Sequence, residues 1–341
     1  VSKKENLMKE KTCIALFSGG LDSMIAVKLL QKQGINVIPV NFNIGVFFKK
    51  YIREGGELKY NKPLPKGIEV KVVDITKDFL HMLKNPAHGY GKNMNPCIDC
   101  KILMMRKAKE MMEELGAGFV ITGEVLGQRP MTQNSNSIKM IKNESGLEGY
   151  LLRPLSAKLM EPTEPEKLGW VDREQLLGIE GRNRQQQLKL AVEFEITDVM
   201  ETPGGGCLLT DKHYAARLND LIQHNKEKEI TEQDMFLLSA GRHFRKNGIK
   251  FIIGRHNGDN EKLEQVKDGA IVFEVMDIPG PLVLTFDSPD EETIRDIAAF
   301  SAGYTKLMDK EEVAVKIIKD NNERVINVKP ISREEAEKYK V

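Results

Sequence analysis

The chain of 341 residues is long enough for two or three domains, each with its own core. Its 51 basic and 50 acidic side chains leave a net charge of +1, which excludes a global polyanion-binding field, so any nucleic-acid surface has to be a local patch. No stretch reaches the apolar length of a membrane span, the opening VSKKENLMKEK has no apolar signal-like segment, and four cysteines are too few for a disulfide framework. A cytoplasmic protein with reduced thiols and no membrane contact is expected.

In chain order, KTCIALFS (11–18) predicts a short apolar strand, SMIAVKLLQKQG (23–34) an amphipathic helix ended by Gly34, and INVIPVNFNI (35–44) a second strand. After a polar, glycine-containing stretch, IEVKVVDIT (68–76) predicts a strand, CKILMMRKAKEMMEELGA (100–117) a helix, and FVITGE (119–124) a further strand. This alternation predicts an α/β fold, a parallel sheet with helices on both faces, whose ligand site lies beyond the carboxyl ends of the strands. From about 175 the character changes. DREQLLGIEGRNRQQQLKLAVEF is rich in Arg and Gln, and PGGGC feeds a helix through TDKHYAARLNDLIQHN. From about 236, FLLSAGRHFRKNGIKFIIGRHNGDNEKLEQV, AIVFEVMDI and PLVLTF predict a small α+β domain closed by DEETIRDIAAFSAGYTKLM, followed by a tail with a strand or two. The boundaries read are 1–175, a helical segment 176–235, 236–310, and a C-terminal extension 311–341.

The strand, the turn Ser18-Gly19-Gly20 and the helix after it aim backbone N–H groups at an anion. The turn lacks the Lys-Ser/Thr ending of a Walker loop. Its Asp22 would repel a phosphate unless magnesium sat between them, which points to chemistry at a nucleotide α-phosphate with pyrophosphate leaving. The bland alternative is an ordinary strand-to-helix turn with Asp22 and Ser23 in the first helical turn.

SGGLDS resembles the PP-loop of the ATP pyrophosphatase superfamily, whose fold is the adenine nucleotide α-hydrolase type of Rossmann-like sheet. ITGEVLGQRPMTQ (121–133) and LLRPL (151–155) resemble the TGE-x-LGQ and LRPL segments of bacterial 4-thiouridine synthetases. The resemblance implies that Ser18, Gly19, Gly20, Asp22 and Ser23 hold ATP phosphates and Mg2+. It further implies that Asn41 or Phe42 lies near the adenine, and that Gly123, Gln128 and Arg153 face the nucleotide. Against this stand plainer roles: Phe42 as a core aromatic and Arg153 as a surface ion-pair partner.

NPCIDC (95–100) spaces Cys97 and Cys100 so that both thiols reach one centre, and Cys207 follows a glycine run. Three readings stay open: a structural zinc with His213 as fourth ligand, a persulfide relay, and a 4Fe-4S cluster on three cysteines with one iron free to bind sulfide. The arrangement resembles iron-sulfur PP-loop tRNA thiolases, which favours the cluster. Cys13, inside the first strand, is expected to be a buried small hydrophobe.

Basic residues cluster in GRNRQQQLK (Arg182, Arg184) and GRHFRKNGIK (Arg242, Arg245, Lys246), with Arg255 beyond. They read as RNA-phosphate contacts or, alternatively, as a solvated charged face. The stretch that carries the second cluster, 236–308, is similar to the NFACT-R RNA-binding module. Together these resemblances imply an ATP-dependent tRNA sulfurtransferase that adenylates a uridine carbonyl and replaces oxygen by sulfur. The partners implied are tRNA and a sulfur donor, either sulfide or a persulfide-carrying desulfurase, and a homodimer is compatible with them. The C4 position is favoured; NPCIDCKI is also similar to a stretch of 2-thiouridylases. The other readings are a PP-loop amide ligase, against which the cysteines argue, and an RNA-binding factor with a degenerate nucleotide domain.

Overall fold

The computed structural model describes residues 11–46, 50–197, 207–226, 228–320 and 322–341. They fall into two compact units, 1–211 and 212–341. Among the described residues no helix is long and apolar enough to cross a membrane.

The first unit is built on a five-stranded parallel sheet. Its strands are β1 (Thr12–Leu16), β2 (Asn36–Asn43), β5 (Lys71–Asp74), β6 (Phe119–Thr122) and β7 (Leu151–Leu152), in the order β5-β2-β1-β6-β7. β1 lies in the middle, with Cys13 in register with Val37 on one side and Phe119 on the other. A strand buried on both faces needs a continuous apolar run, and TCIAL supplies it; Cys13 is fully buried, and burial raises its thiol pKa. Helix α1 (Leu21–Lys32) packs Leu21, Ile25, Leu29 and Leu30 into the same core. That core continues past the boundary read at 175 and takes in Leu176, Ile179, Ala191 and Ile196.

The strand order reverses beside β1: β2 flanks one edge and β6 the other. The carboxyl ends of β1 and β6 therefore bound the crevice where a sheet of this kind holds its ligand. Between β2 and β5 the chain makes an antiparallel hairpin, β3 (Tyr51–Glu54) and β4 (Glu57–Tyr60), turned at Gly55 and Gly56, both with positive φ. Helix α2 (Thr76–Lys84) precedes α3 (Cys97–Glu114), which begins three residues earlier than its apolar periodicity suggests, so both cysteines of NPCIDC sit in its first turn. Helices α4 (Ser135–Glu144), α5 (Glu164–Lys167) and α6 (Gln185–Glu193) complete the unit among the described residues.

The second unit contains α7 (Lys212–His224), α8 (Glu232–Leu237) and a six-stranded antiparallel sheet. Its strands are β8 (Arg242–Lys246), β9 (Ile249–Ile253), β10 (Ile271–Val275), β11 (Val283–Thr285), β12 (Val313–Lys319) and β13 (Asn322–Val328), ordered β13-β12-β10-β11-β9-β8. Residues 311–341, expected from sequence to be an extension, thus supply two strands of this sheet. α9 (Asn257–Glu264), α10 (Glu291–Gly303) and α11 (Arg333–Glu337) accompany it. Phe244, Phe251 and Phe300 meet at centroid distances of 5.0 to 5.5 Å, within the range in which ring pairs attract beyond their buried area.

Candidate active site

The loop after β1 has the local bonding of an anion cradle. Gly19 has φ +78°, and the Gly20 amide donates to Ser18 Oγ at 3.2 Å. Ser23 Oγ donates to the Gly20 carbonyl at 2.7 Å, and Ser18 Oγ to Ser23 Oγ at 3.3 Å. Gly20 caps α1 in an extended conformation without a side-chain cap, leaving the helix start open to a ligand. A side chain on Gly123, at the end of β6, would put its Cβ 2.5 Å from the Asp22 carbonyl carbon and the Ser23 nitrogen. Gly123 is therefore demanded by the approach of β6 to the start of α1, whatever else it faces.

The hairpin supplies side chains that the sequence reading missed. A Cβ on Gly19 would lie 1.7 Å from the Tyr60 hydroxyl, so this tyrosine rests on the loop, edge-on to Phe17 and Tyr51. Tyr51 donates to Asn41 Oδ1 at 2.7 Å, and Asn41 Nδ2 donates to the Phe17 carbonyl at 2.6 Å. Asn41 thus ties the end of β1 to the hairpin. Phe42 is buried in β2. Lys50 donates to the Ser18 carbonyl at 3.4 Å.

Asp22 is the electrostatic focus. Burial raises its carboxyl above the usual range, offset in part by the amides of Gln128 and Gln187 and by the guanidiniums of Arg184 and Arg129. Asp22 Oδ1, Gln128 Nε2 and both amide atoms of Gln187 are buried without a hydrogen-bonded partner among the described residues. Orphaned polar atoms of this density mark a place for a hydrated ion or a charged group. Asp22 Oδ1 and Gln187 Oε1 are oxygens of the kind magnesium or its waters take, and the two amide nitrogens are donors that suit an anion beside it. Arg184, read from sequence with the RNA contacts, is placed at this carboxylate, whereas Arg182 is exposed.

Arg153 is buried and donates from Nε to Glu124 Oε2 at 3.0 Å; Lys101 approaches Glu124 Oε1 at 3.3 Å. Burial alone would raise the Glu124 carboxyl, but these two cations outweigh it and hold it low. Lys101 directly follows Cys100 and lowers the pKa of both α3 thiols.

The segment 207–210 reaches the cysteine loop: Met94 N donates to the Leu209 carbonyl at 3.2 Å, and Asn93 Nδ2 to the Thr210 carbonyl at 2.7 Å. The glycine run at 204–206 lies outside the described residues. Cys97, Cys100 and Cys207 feel one another's charge. Burial pushes Cys100 up to about 12, reinforced by Cys207 and Cys97, and Cys97 and Cys207 are raised as well, chiefly by burial. Two cations join this group to the phosphate loop. Arg129 is within electrostatic reach of Asp22, Cys97 and Cys207, and Lys50, bonded to Ser18, also lowers Cys207. Among the described residues no group of three His, Cys, Asp or Glu is gathered to hold a metal ion. Three thiols that repel one another when ionised remain the donor chemistry a larger iron-sulfur centre takes, one thiolate to an iron.

His88 clamps the start of α3, with Nδ1 3.1 Å from Asp99, which lies between the two cysteines, and Nε2 3.0 Å from Glu144. These bonds, Asp99 first, raise its pKa. A raised histidine contributes stability that is full below the unfolded value and lost as pH rises through the folded one. Hydrogen exchange at 95–101, corrected for intrinsic rates, is expected to quicken about twofold to fivefold between pH 6 and 8, and His88→Gln should abolish that pH increment.

In the second unit, Arg245 forms a bidentate pair with Asp220 at 2.7 and 2.9 Å, and Lys250 meets the same carboxylate at 2.9 Å. Lys246 pairs with Asp296 at 2.8 Å, and Arg255 grips Asp259. Arg242 lies over the Tyr304 ring at 5.1 Å. Most of this basic cluster is held in ion pairs within the unit.

Residues 8–159 match the family described as thiamine biosynthesis protein (ThiI), and residues 241–340 match the NFACT protein RNA binding domain. The first part of the chain is thus similar to the ThiI family and its last hundred residues to the NFACT RNA binding domain. A probable tRNA sulfurtransferase of Thermococcus kodakarensis is 29% identical over 42% of this chain and 36% of its own length. The tRNA-specific 2-thiouridylase MnmA of Nitratiruptor sp. is 34% identical over 34% of this chain and 35% of its own. The similarity spans about a third of these curated relatives. A 2-thiouridylase of Rickettsia massiliae aligns over 91% of this chain and 83% of its own length, at 25% identity.

Proposed function

We propose that the protein is an ATP-dependent tRNA sulfurtransferase. The observation that carries this reading is that two cations, Arg129 and Lys50, serve the phosphate loop and the thiol group at once. A loop that only turned a strand into a helix would have no reason to share its charges with Cys97 and Cys207.

The chemistry joins the two halves. A uridine carbonyl oxygen attacks the α-phosphorus of ATP held at Ser18–Ser23, and pyrophosphate leaves. The carbon now carries AMP as a leaving group. Sulfur at the sulfide level, delivered from the Cys97, Cys100 and Cys207 group, attacks that carbon, and AMP departs with the uridine oxygen. Asp22 would hold a magnesium ion, and that ion when bound would supply the positive charge that offsets the leaving pyrophosphate. Lys101 and Arg129 favour the thiolate forms against burial. On the finer reading the three cysteines would hold a 4Fe-4S cluster, which when bound would supply an iron that can carry sulfide; in the persulfide relay the outer sulfur on one cysteine attacks the carbon as AMP leaves, and a second cysteine thiolate then displaces the thiouridine sulfur, leaving a disulfide between the two cysteines. The NFACT-type domain supports a grip on tRNA, with Arg242 the cluster member turned to an aromatic face and not to a carboxylate. Thiolation at C4 is supported by the TGE-x-LGQ and LRPL resemblance, and thiolation at C2 by the 34% identical relative.

The test is incubation of anaerobically purified protein with unmodified tRNA, ATP, magnesium and sulfide, followed by nucleoside mass spectrometry. Thiouridine is expected from the wild type, at C4 by retention against standards. Cys97→Ala, Cys100→Ala and Cys207→Ala should each fall to the protein-free level. Full activity in all three would remove the sulfur assignment, and ammonia-dependent AMP release without RNA would favour the amide ligase.

A further inference from the structure

The first turn of α6 has no part in the chemistry proposed for the loop and the thiols, yet it opens onto the same carboxylate as the first turn of α1. Gln187, on α6, has no exposed surface, and neither its amide nitrogen nor its oxygen is bonded among the described residues. Gln128 Nε2 and Asp22 Oδ1 are in the same condition. The Gln187 and Gln128 amides act on the Asp22 carboxyl, yet neither makes a well-formed hydrogen bond with it, and a buried amide bonded this incompletely costs free energy that an apolar residue of the same size would avoid.

The segment is held in place by main-chain bonds. Gly181 N donates to the Leu126 carbonyl at 2.7 Å, and Leu126 bridges Glu180, so the approach to α6 is fastened to the loop carrying Gln128 and Arg129. Asp22 lies in the first turn of α1, and Arg184 caps the start of α6 within electrostatic reach of it. Two helix N-termini and the guanidiniums of Arg184 and Arg129 thus converge on one carboxylate. Such a setting suits a multiply charged anion with its cation.

We propose that Gln187, with Gln128 and Arg184, forms a subsite for the β- and γ-phosphates of ATP and their magnesium, placing the leaving pyrophosphate between the starts of α1 and α6. The subsite rests on the reading of SGGLDS as an ATP loop. Gln187 is a positioning residue: its amide nitrogen donates to a phosphate oxygen and its carbonyl oxygen accepts from the hydration shell of the cation. Residues 180–187 lie beyond the stretch matched to the ThiI family, so the nucleotide site is completed by chain outside it.

The test uses the full chain and calorimetric titration with three probes: a magnesium-loaded non-hydrolysable ATP analogue, magnesium pyrophosphate, and AMP. Gln187→Leu is expected to weaken the analogue and pyrophosphate about tenfold to a hundredfold, the range for hydrogen bonds to charged groups, and to leave AMP unchanged. Its thermal midpoint should equal or exceed the wild type, since an unbonded buried amide is gone. Gln187→Met, of the same length, serves if the leucine variant does not fold. Unchanged affinity for the analogue overturns the subsite, as does an equal loss for AMP and the analogue. If the wild type binds none of the three, the ATP reading of the loop fails, and the subsite with it.

Discussion

Asp22→Asn is expected to lower tRNA- and ATP-dependent pyrophosphate release by about a thousandfold while making the protein more resistant to heat. The first effect follows from losing the carboxylate that the proposed mechanism sets beside the leaving pyrophosphate, where a metal's charge would contribute several kcal/mol to the transition state. The second follows from burial. A carboxyl whose pKa is raised in the folded state favours the protonated form there, so its stabilising contribution is full below the unfolded value and lost as pH rises through the folded one. At neutral pH the ionised Asp22 is a net cost without its ligand, and the neutral amide removes it. Pyrophosphate release measured alongside a thermal melt at pH 7 checks both. A variant of unchanged rate, or one that melts lower, would show that Asp22 serves the fold and not the cation.

Glu124→Ala is expected to cost about 4 kcal/mol and roughly 10 °C in melting temperature, because it leaves the buried Arg153 guanidinium, whose Nη2 already lacks a partner, without its carboxylate. The Glu124 carboxyl is held low by Lys101 and Arg153, so its contribution is present above the unfolded carboxylate pKa and fades as pH falls through the folded one. Denaturant melts of Glu124→Ala at pH 7 and pH 3 should therefore differ less than those of the wild type. Adding Arg153→Met should recover most of the loss, since an apolar pair tolerates that interior better than one stranded charge. If the double variant is no more stable than the single, Arg153 has another partner and the pairing is not what holds it.

Local patterns revealed those parts of the protein whose neighbours in space are also neighbours in sequence. β1, β2, α1 and β6 have apolar periods that burial on a parallel sheet requires, and SGGLDS sits at the strand-to-helix junction between β1 and α1. The first cysteine pair was equally plain, although the apolar period of α3 starts at Cys100 and hid the fact that Cys97 is already helical. β3 and β4 were missed: a two-stranded ribbon carries no buried face of its own, and Gly55-Gly56 between YIRE and ELKY was its one local sign. The roles of Arg184 and Gln187 were illegible for a different reason. In a run of Arg and Gln every side chain looks solvated, and the burial of one glutamine is decided by α1 and the 126–129 loop, which are remote in sequence. Arg245, Lys246 and Arg255 show the converse. Their clustering reads as a phosphate surface, but Asp220, Asp296 and Asp259 meet them in the fold.

The contact of Gly123 with the Asp22 backbone has a thermodynamic consequence. No side chain cushions the start of α1 from the end of β6, and the next residue, Glu124, holds Lys101 beside the thiols. Backbone contact at Gly123 and the Glu124–Lys101 pair thus join the start of α1 to the cysteine helix. On the proposed function, any factor by which ATP changes the affinity for sulfur is by linkage the factor by which sulfur changes the affinity for ATP.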